Sequence, residues 1–449
     1  MGPGRGDKGF RWDAFGRTVI DIELLRKDPA RVEENLGRRR NPEYLRMLAE
    51  VRAKDSEWRQ CLQEADRHRR QRNDLGKRIA ERRAKQQPTA DLESEGKALL
   101  DALRGAEQRE TELLAARDAL LRRLPNLLDD SVPYGKDDTE NAVVATWGDP
   151  APAEEFRTSH AELLERLGMA DFDRARRVSG AGFYYLSGPI VLLDLALQRF
   201  ALDLLVERGF TPVSPPYMLR REPYEGVTDL ADFENVMYKV EGEDLYLIAT
   251  SEHPLGAMFQ GEILDEDRLP IRMAGISANF RKEIGGHGVD QKGIFRVHQF
   301  HKVEQFVFCR PEDSPKIHEE LRGNAEEVFR RLRVPYRVVN VCTGDVGTVA
   351  AKKYDLEAWF PRQQAYREVV SCSNCTDYQA RRLGIRMGKA GRPGKVVPHT
   401  LNSTAVATSR ALAVLLEQYQ RPDGNVTVPD ALRSYLGGRE LLSPGPAGR

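Results

Sequence analysis

The sequence predicts an α+β protein in two parts. An N-terminal antiparallel coiled-coil hairpin of long helices precedes a C-terminal domain built on a mainly antiparallel β-sheet flanked by helices. Two observations carry this. Residues 42–124 are rich in Arg, Glu, Ala, Leu and Gln, with few β-branched residues. From about 156 to 440 helical and strand patterns mix, and no regular helical crossover joins successive strands, which favours antiparallel pairing over a doubly wound sheet.

Residues 1–17 are rich in Gly and Arg and read as a mobile N-terminus. Residues 18–125 form the N-terminal domain. Within it, VIDIELLRKDPARVEENLGRRR (19–40) reads as a short strand or turn followed by one helix. In 42–124 the one clear break is KQQPTAD, 85–91. Leu92, Leu99, Leu103, Ala106, Leu113, Ala116, Leu120 and Leu124 recur at steps of three, four or seven, a heptad-like stripe. Leu48, Val51, Trp58, Leu62, Leu75 and Ile79 make a weaker stripe in the first arm. At about 1.5 Å per residue each arm spans roughly 50–65 Å.

Pro125 ends the second helix, and the Pro-, Asp- and Gly-rich 126–155 reads as a linker. The domain over 156–440 holds helices at 189–209, 316–332 and 404–419. Its expected strands are 245–252, 366–373 and the pair 271–283 and 293–309. Residues 441–449 read as a disordered tail.

Lys plus Arg and Asp plus Glu both total 69, so net charge names no partner. The start carries no secretory pattern, and Gly6 argues against myristoylation. The most apolar stretch, PIVLLDLAL (189–197), is far short of the about 20 residues of a membrane helix. Five unpatterned cysteines suit a reducing cytoplasm. Cys372-Ser-Asn-Cys375 has no second C-x-x-C and no suitable His pair, so no zinc site is expected.

The stretch NFRKEIGGHGVDQKGIFRVHQF (279–300) holds a glycine-rich middle. It matches neither G-x-G-x-x-G before a helix nor a P-loop, and a strand follows it, so no helix N-terminus is offered to phosphate. Its flanks say more. On a strand over 294–308, alternation puts Arg296, His298, Phe300, Lys302 and Glu304 on one face. Arg281 and Glu283 share a face of the partner strand. Cations, carboxylates and one ring on one side suit a nucleotide; a solvated hairpin face with ordinary salt bridges reads equally well.

Thr250 and Glu252 stand i, i+2 after an apolar strand, where they could hold an ammonium or simply close a turn. Glu368 interrupts an apolar strand; it could ligate Mg²⁺ with a triphosphate or mark an exposed edge. Arg410 lies in an Ala/Leu-rich helix and needs a partner, phosphate or carboxylate.

Taken in order, these stretches resemble the seryl-tRNA synthetase family of class II aminoacyl-tRNA synthetases. ERGFTPVSPPYM (207–218) is similar to class II motif 1, NFRKE…FRVHQFHKVE (279–304) to motif 2 and LNSTAVATSRALAVLLEQYQ (401–420) to motif 3. TSE (250–252) is similar to the family's T-x-E serine motif, and EVVSCSN (368–374) to its ATP-binding strand. The wording is closer to archaeal-type members, and the resemblance covers about 18–438.

The resemblance implies ATP-dependent activation of L-serine to seryl-adenylate, then transfer to the 3′ end of tRNA-Ser, with tRNA-Sec a second candidate. Arg281 would hold the α-phosphate, Glu283 the adenine amine, and Phe300 would stack on adenine. Lys282, Val297, Val369, Val370 and Ser371 would complete the ATP site. Glu368 would bind ATP through Mg²⁺, and Arg410 would grip the γ-phosphate. Thr250, Ser251, Glu252, Arg281, Glu304, Asn402 and Thr404 would bind L-serine.

Residues 67–85 hold nine Lys/Arg against two acids near the expected arm tip. Arg69, Arg70, Arg72, Lys77, Arg78, Arg82 and Arg83 suit the long variable arm of tRNA-Ser, met through phosphates and shape. Most charge-rich helices are merely solvated; the catalytic half tips the reading toward tRNA. A homodimer is implied, since in the family the arm reaches tRNA held by the other subunit. His287, Asp290, Gln291 and Lys292 would be loop-tip contacts, with Gln291 departing from the small hydroxyl or charged residue expected there. Two rivals remain: a specialised paralogue serving a biosynthetic or resistance pathway, and an inactive tRNA-binding paralogue.

Overall fold

The computed structural model describes residues 19–152, 158–229, 234–283, 293–389 and 394–444, which divide into units meeting at Pro125/Asn126. Residues 1–17, the tip residues His287, Asp290, Gln291 and Lys292, and 445–449 lie outside the described residues.

In the first unit, 19–40 form α1 (Ile22–Lys27) and α2 (Pro29–Gly37) rather than one helix. Asp28 closes α1 and its side chain caps the Arg31 amide of α2, while Pro29 starts the new helix. The hairpin follows as α3 (Pro42–Ala84) and α4 (Ala90–Leu121). Their seam is thinner than the heptad reading. Leu92, Leu103, Leu113 and Leu124 are buried, but Leu99, Ala106 and Leu120 only half so, and Ala116 is exposed. Leu121 takes the place expected of Leu120.

At the arm's root the seam turns polar. Asp55, 4% exposed, accepts from Arg26 Nη2 at 2.7 Å and Arg117 Nη1 at 3.0 Å. Arg117 also grips Asp118 Oδ1 at 2.7 Å. Both guanidinium groups lie over the Trp58 ring, at 5.8 and 5.1 Å. At the other end Arg82 pairs with Asp91 and Arg83 with Glu93 across the turn.

The second unit centres on an eight-stranded sheet. Its strands are β1 (Ala142–Trp147), β2 (Thr211–Val213), β3 (Ile271–Phe280), β4 (Gln299–Cys309), β5 (Tyr336–Asn340), β6 (Lys352–Phe360), β7 (Ala365–Thr376) and β8 (His399–Ala407). The order is β1-β5-β6-β7-β8-β4-β3-β2, antiparallel except for the parallel β2–β3 edge. Part of the expected 126–155 linker is therefore edge strand β1. Part of the expected tail pairs too, Leu441–Leu442 with Val426–Thr427.

Helices α5 (Pro189–Glu207), α7 (Ser314–Arg331) and α8 (Thr408–Tyr419) supply much of the main core, with a short α6 at Glu252–Ala257. The expected helix over 404–419 starts only at Thr408, because HTLNSTAVA before it runs as β8 through the middle of the sheet. Among the described residues no helix is long and apolar enough to cross a membrane.

Candidate active site

Phe300, Lys302 and Glu304 alternate along β4 and share one face, as period two requires. The face is buried rather than solvated: Phe300 and Lys302 are each 8% exposed and Glu304 1%. The expected strand pair is shorter than the sequence suggested. Strand β3 stops at Phe280 and β4 begins at Gln299, so Arg281, Lys282, Glu283 and 294–298 lie beyond the ladder. There Phe295 and Val297 line the cleft, while Arg296 is turned to Glu283 at 3.7 Å. Glu283 has φ 42°, a left-handed conformation that turns the chain out of the strand direction.

The cleft opens to solvent. Arg281, Glu283, Phe300, Glu368, Ser371, Thr404 and Arg410 line it together. Arg281 lies over the Phe300 ring at 5.3 Å and donates from Nε to the Ala249 carbonyl at 3.3 Å. Burial and the nearby Arg410 lower its pKa, against Glu283, Glu368 and Glu304. Arg410 stands in the first turn of α8, its guanidinium 5.1 Å from the centre of Phe295.

Glu368 and Ser371 are three apart, and strict alternation would put them on opposite faces. A bulge corrects this. Leu356 opposes Val370 and Glu357 opposes Glu368, leaving Val369 as the extra residue. Glu368 and Ser371 thus both meet the cleft, whereas Val370 packs into the core and does not line it. Burial alone would raise Glu368, but Arg410, Lys353 and Arg281 hold it below the usual carboxylate range. Glu368 is exposed to the cleft: only Cys372–Thr376 of β7 pair with β8, so Glu368 stands on a stretch bonded to β6 alone.

Thr250 and Glu252 are not on a strand. Only Tyr246–Leu247 pair, residues 248–251 turn, and Glu252 starts α6. The turn is pressed onto the sheet at Gly275 of β3, which opposes Glu304 of β4. A Cβ on Gly275 would meet Ser251 Oγ at 2.6 Å and Leu255 Cδ1 at 2.8 Å. Ser251 is fully buried there, supporting the turn from beneath. Glycine thus brings the T-S-E turn against the face that carries Glu304.

Glu252 Oε1 accepts from Gln379 Nε2 at 2.8 Å and Asn402 Nδ2 at 3.0 Å. Burial and neighbouring Glu304 push it up to about 7, against the pull of Lys302. Thr404 opposes Glu304 directly across β8 and β4. Lys302 Nζ donates to Thr250 Oγ1 at 3.3 Å and pairs with the Glu304 carboxylate. Burial raises Glu304, and Lys302 is the main opposing influence.

Lys282 stands aside from the cleft, its amide bonded to the Val236 carbonyl at 2.8 Å and its ammonium 5.8 Å from the Tyr238 ring. Phe295, Lys302, Ser409 and Gln379 are site residues the sequence reading did not assign. Lys302 had a signal, its place in the Phe300–Glu304 alternation. Phe295 had none, since it precedes the strand.

On the arm, Arg69 is tied to Asp66 and Glu107, as Arg82 and Arg83 are tied across the turn. Arg70, Lys77 and Arg78 make no ion pair among the described residues, and Arg72 reaches only Asn73.

Comparison with known proteins gives a consistent set. Residues 236–419 match the tRNA synthetase class II core domain (G, H, P, S and T), and 19–128 match the seryl-tRNA synthetase N-terminal domain. A serine–tRNA ligase of Methanocella arvoryzae is 56% identical over 94% of this chain and 100% of its own length. The crystal structure of seryl-tRNA synthetase from Pyrococcus horikoshii complexed with ATP superposes with TM-score 0.92 at 48% identity, covering 95% of this chain and 100% of that one. A cytoplasmic serine–tRNA ligase from Naegleria fowleri in complex with AMP gives TM-score 0.87 at 35% identity, covering 96% and 99%.

Proposed function

Because the chain belongs to the seryl-tRNA synthetase family, we propose that the cleft and the Thr250–Glu304 pocket beside it bind ATP and L-serine side by side. The protein is a serine–tRNA ligase: it activates serine with ATP and transfers it to tRNA. One observation carries the residue assignment. Phe300, Lys302 and Glu304 run along a single strand face from the nucleotide cleft into the amino-acid pocket.

In this reading adenine stacks on Phe300, and Glu283 accepts from its amine. Arg281 sits where the α-phosphate meets the serine carboxylate, and Arg410 meets the outer phosphates. The carboxylate oxygen attacks the α-phosphorus in line, and pyrophosphate leaves from the opposite side. Arg281 and Arg410 match the negative charge spread over the transferring group, so catalysis is mainly positioning and charge stabilisation. Glu252 and Thr250 take the substrate ammonium, while Glu304 and Thr404 read its hydroxyl. Alanine would leave those buried polar groups unpaired, a strong basis for rejection. The tRNA terminal ribose hydroxyl then takes the seryl group from the mixed anhydride, releasing AMP.

Glu368 and Ser371 offer only hard oxygen donors on one face, a set that fits Mg²⁺ rather than a thiolate-seeking metal. Bound with ATP there, Mg²⁺ would neutralise phosphate charge.

The arm is assigned to tRNA-Ser, through Arg70, Arg72, Lys77 and Arg78 foremost. A homodimer belongs to the same reading; exposed Val191, Leu192 and Leu195 on α5 support an apolar contact. A cytoplasmic setting is supported by five free, buried cysteines.

The test is serine-dependent pyrophosphate exchange, followed by charging of a tRNA-Ser transcript with and without residues 42–124. Exchange that needs serine supports the reading; its absence overturns it. Full charging by the armless protein would overturn the arm's role.

A further inference from the structure

Lys302 carries a charge that the reaction above does not use. It is 8% exposed, it lines the nucleotide cleft, and its ammonium reaches Thr250 Oγ1 at 3.3 Å while pairing with Glu304. A buried ammonium in a substrate pocket costs desolvation unless something requires it.

What requires it is the charge count of the pocket. Glu252 feels the charges of Glu304 and Lys302, and Glu304 that of Lys302. Glu252 is fixed by two amide donors, Gln379 and Asn402. Glu304 is fixed by Lys302 and stands opposite Thr404. With Lys302 present, and Arg281 taken by the substrate carboxylate, the pocket has one carboxylate charge left over, matched to the single ammonium of serine. Without it, two carboxylates would face the amino acid, a site better suited to two ammonium groups.

We propose that Lys302 is a specificity-determining residue, which excludes amino acids of serine's size that carry a basic side chain. The inference rests on the serine-activating reading above. L-2,3-Diaminopropionate is the informative competitor, being serine with an amine in place of the hydroxyl. In the native pocket its second ammonium lies against Lys302; with Lys302 neutral, Glu304 becomes its partner.

The test compares serine and L-2,3-diaminopropionate in pyrophosphate exchange for the native protein, Lys302→Met and the double variant Lys302→Met/Glu304→Gln. Two neighbouring ammonium groups depress one another's pKa and Glu252 loses its charge below about 7, so the assay compares the two substrates at pH 6.5 and again at pH 7.5. Melting temperature and ATP KM are measured alongside. In Lys302→Met, the preference for serine over diaminopropionate should fall at least tenfold, chiefly through KM. In the double variant the leftover charge is again one, and the preference should recover at least partly. A merely structural lysine would lower both substrates together and leave the ratio unchanged in both variants, which overturns the inference. If Lys302→Met does not fold, Lys302→Gln replaces it: a serine-to-diaminopropionate ratio lowered at least tenfold supports the inference, and an unchanged ratio overturns it. Failure of the native protein to exchange with serine would instead overturn the reading beneath.

Discussion

The guanidinium of Arg410 donates from Nη1 to the backbone carbonyl of Glu368 at 2.9 Å and stands 3.3 Å from the same residue's carboxylate. One arginine thus holds both the strand and the side chain of the expected metal-binding glutamate. Arg410→Ala should lower pyrophosphate exchange by about 10²–10³-fold, with ATP KM raised. Lysine should restore little, since with Nη1 engaged on Glu368 the guanidinium keeps further donors for phosphate that an ammonium lacks. Exchange within threefold of native would remove Arg410 from the mechanism.

Gly275 offers a test of how the serine pocket is assembled. Gly275→Ala places a methyl 2.6 Å from Ser251 Oγ and 2.8 Å from Leu255 Cδ1. The turn carrying Thr250 and Glu252 must lift from the sheet. Serine KM should rise at least tenfold while ATP KM stays within about twofold, and stability should drop by about 1–3 kcal/mol. Equal effects on both KM values would mean the turn is not serine-specific.

Glu252, pushed up to about 7, gives a pH dependence of defined sign. Protonation removes the charge assigned to the substrate ammonium, so kcat/KM for serine should fall as pH drops through about 7. Stability runs the other way. Between the ordinary carboxylate pKa and 7 the folded state binds the extra proton, so stability falls as pH rises across that window. Glu252→Gln should lose the kinetic limb, and should gain in melting temperature relative to native above pH 7 but not at pH 4.5. An unchanged kinetic profile would assign the ammonium to another group.

His318 is buried, its Nε2 lies 3.0 Å from the Cys372 carbonyl, and desolvation brings its pKa down to about 4. A depressed histidine destabilises at low pH: the unfolded chain takes up the proton below about 6.5 while the folded state does not. His318→Gln keeps an N–H donor and should flatten the loss of melting temperature between pH 6.5 and 5. An unaltered slope would place the acid sensitivity elsewhere, His253 being next.

Replacing Arg70, Arg72, Lys77 and Arg78 by Gln should raise tRNA KM and make the salt dependence of charging shallower by about one per contacted phosphate. Serine-dependent exchange should not change. Unaltered tRNA KM would show that these residues are only a solvated face.

The alternation Phe300–Lys302–Glu304 was legible because β4 is a regular strand throughout that stretch. Glu368 and Ser371 were not legible as a pair, because the bulge that aligns them depends on the register of β6. The serine turn was misread as strand because its support, Gly275, lies more than twenty residues away and acts by having no side chain. Edge strand β1 looked like linker since only its pairing with β5 distinguishes it. In the arm, the apolar stripe gave the hairpin but not the buried Asp55–Arg117 pair, whose partners lie on different helices.

That pair has a mechanical consequence. A seam with widely spaced leucines such as Leu92, Leu103 and Leu113 is permissive toward sliding of one helix along the other. Sliding by one turn would carry the hairpin tip about 5 Å along its axis and would break the Asp55–Arg117 pair across the seam, leaving Asp55 with Arg26 and Arg117 with Asp118. The ionic knot at the root and the Arg82–Asp91 and Arg83–Glu93 latches at the tip therefore act as stops on a ruler. They set the length of the arm, and with it the distance at which its unpaired cations are presented.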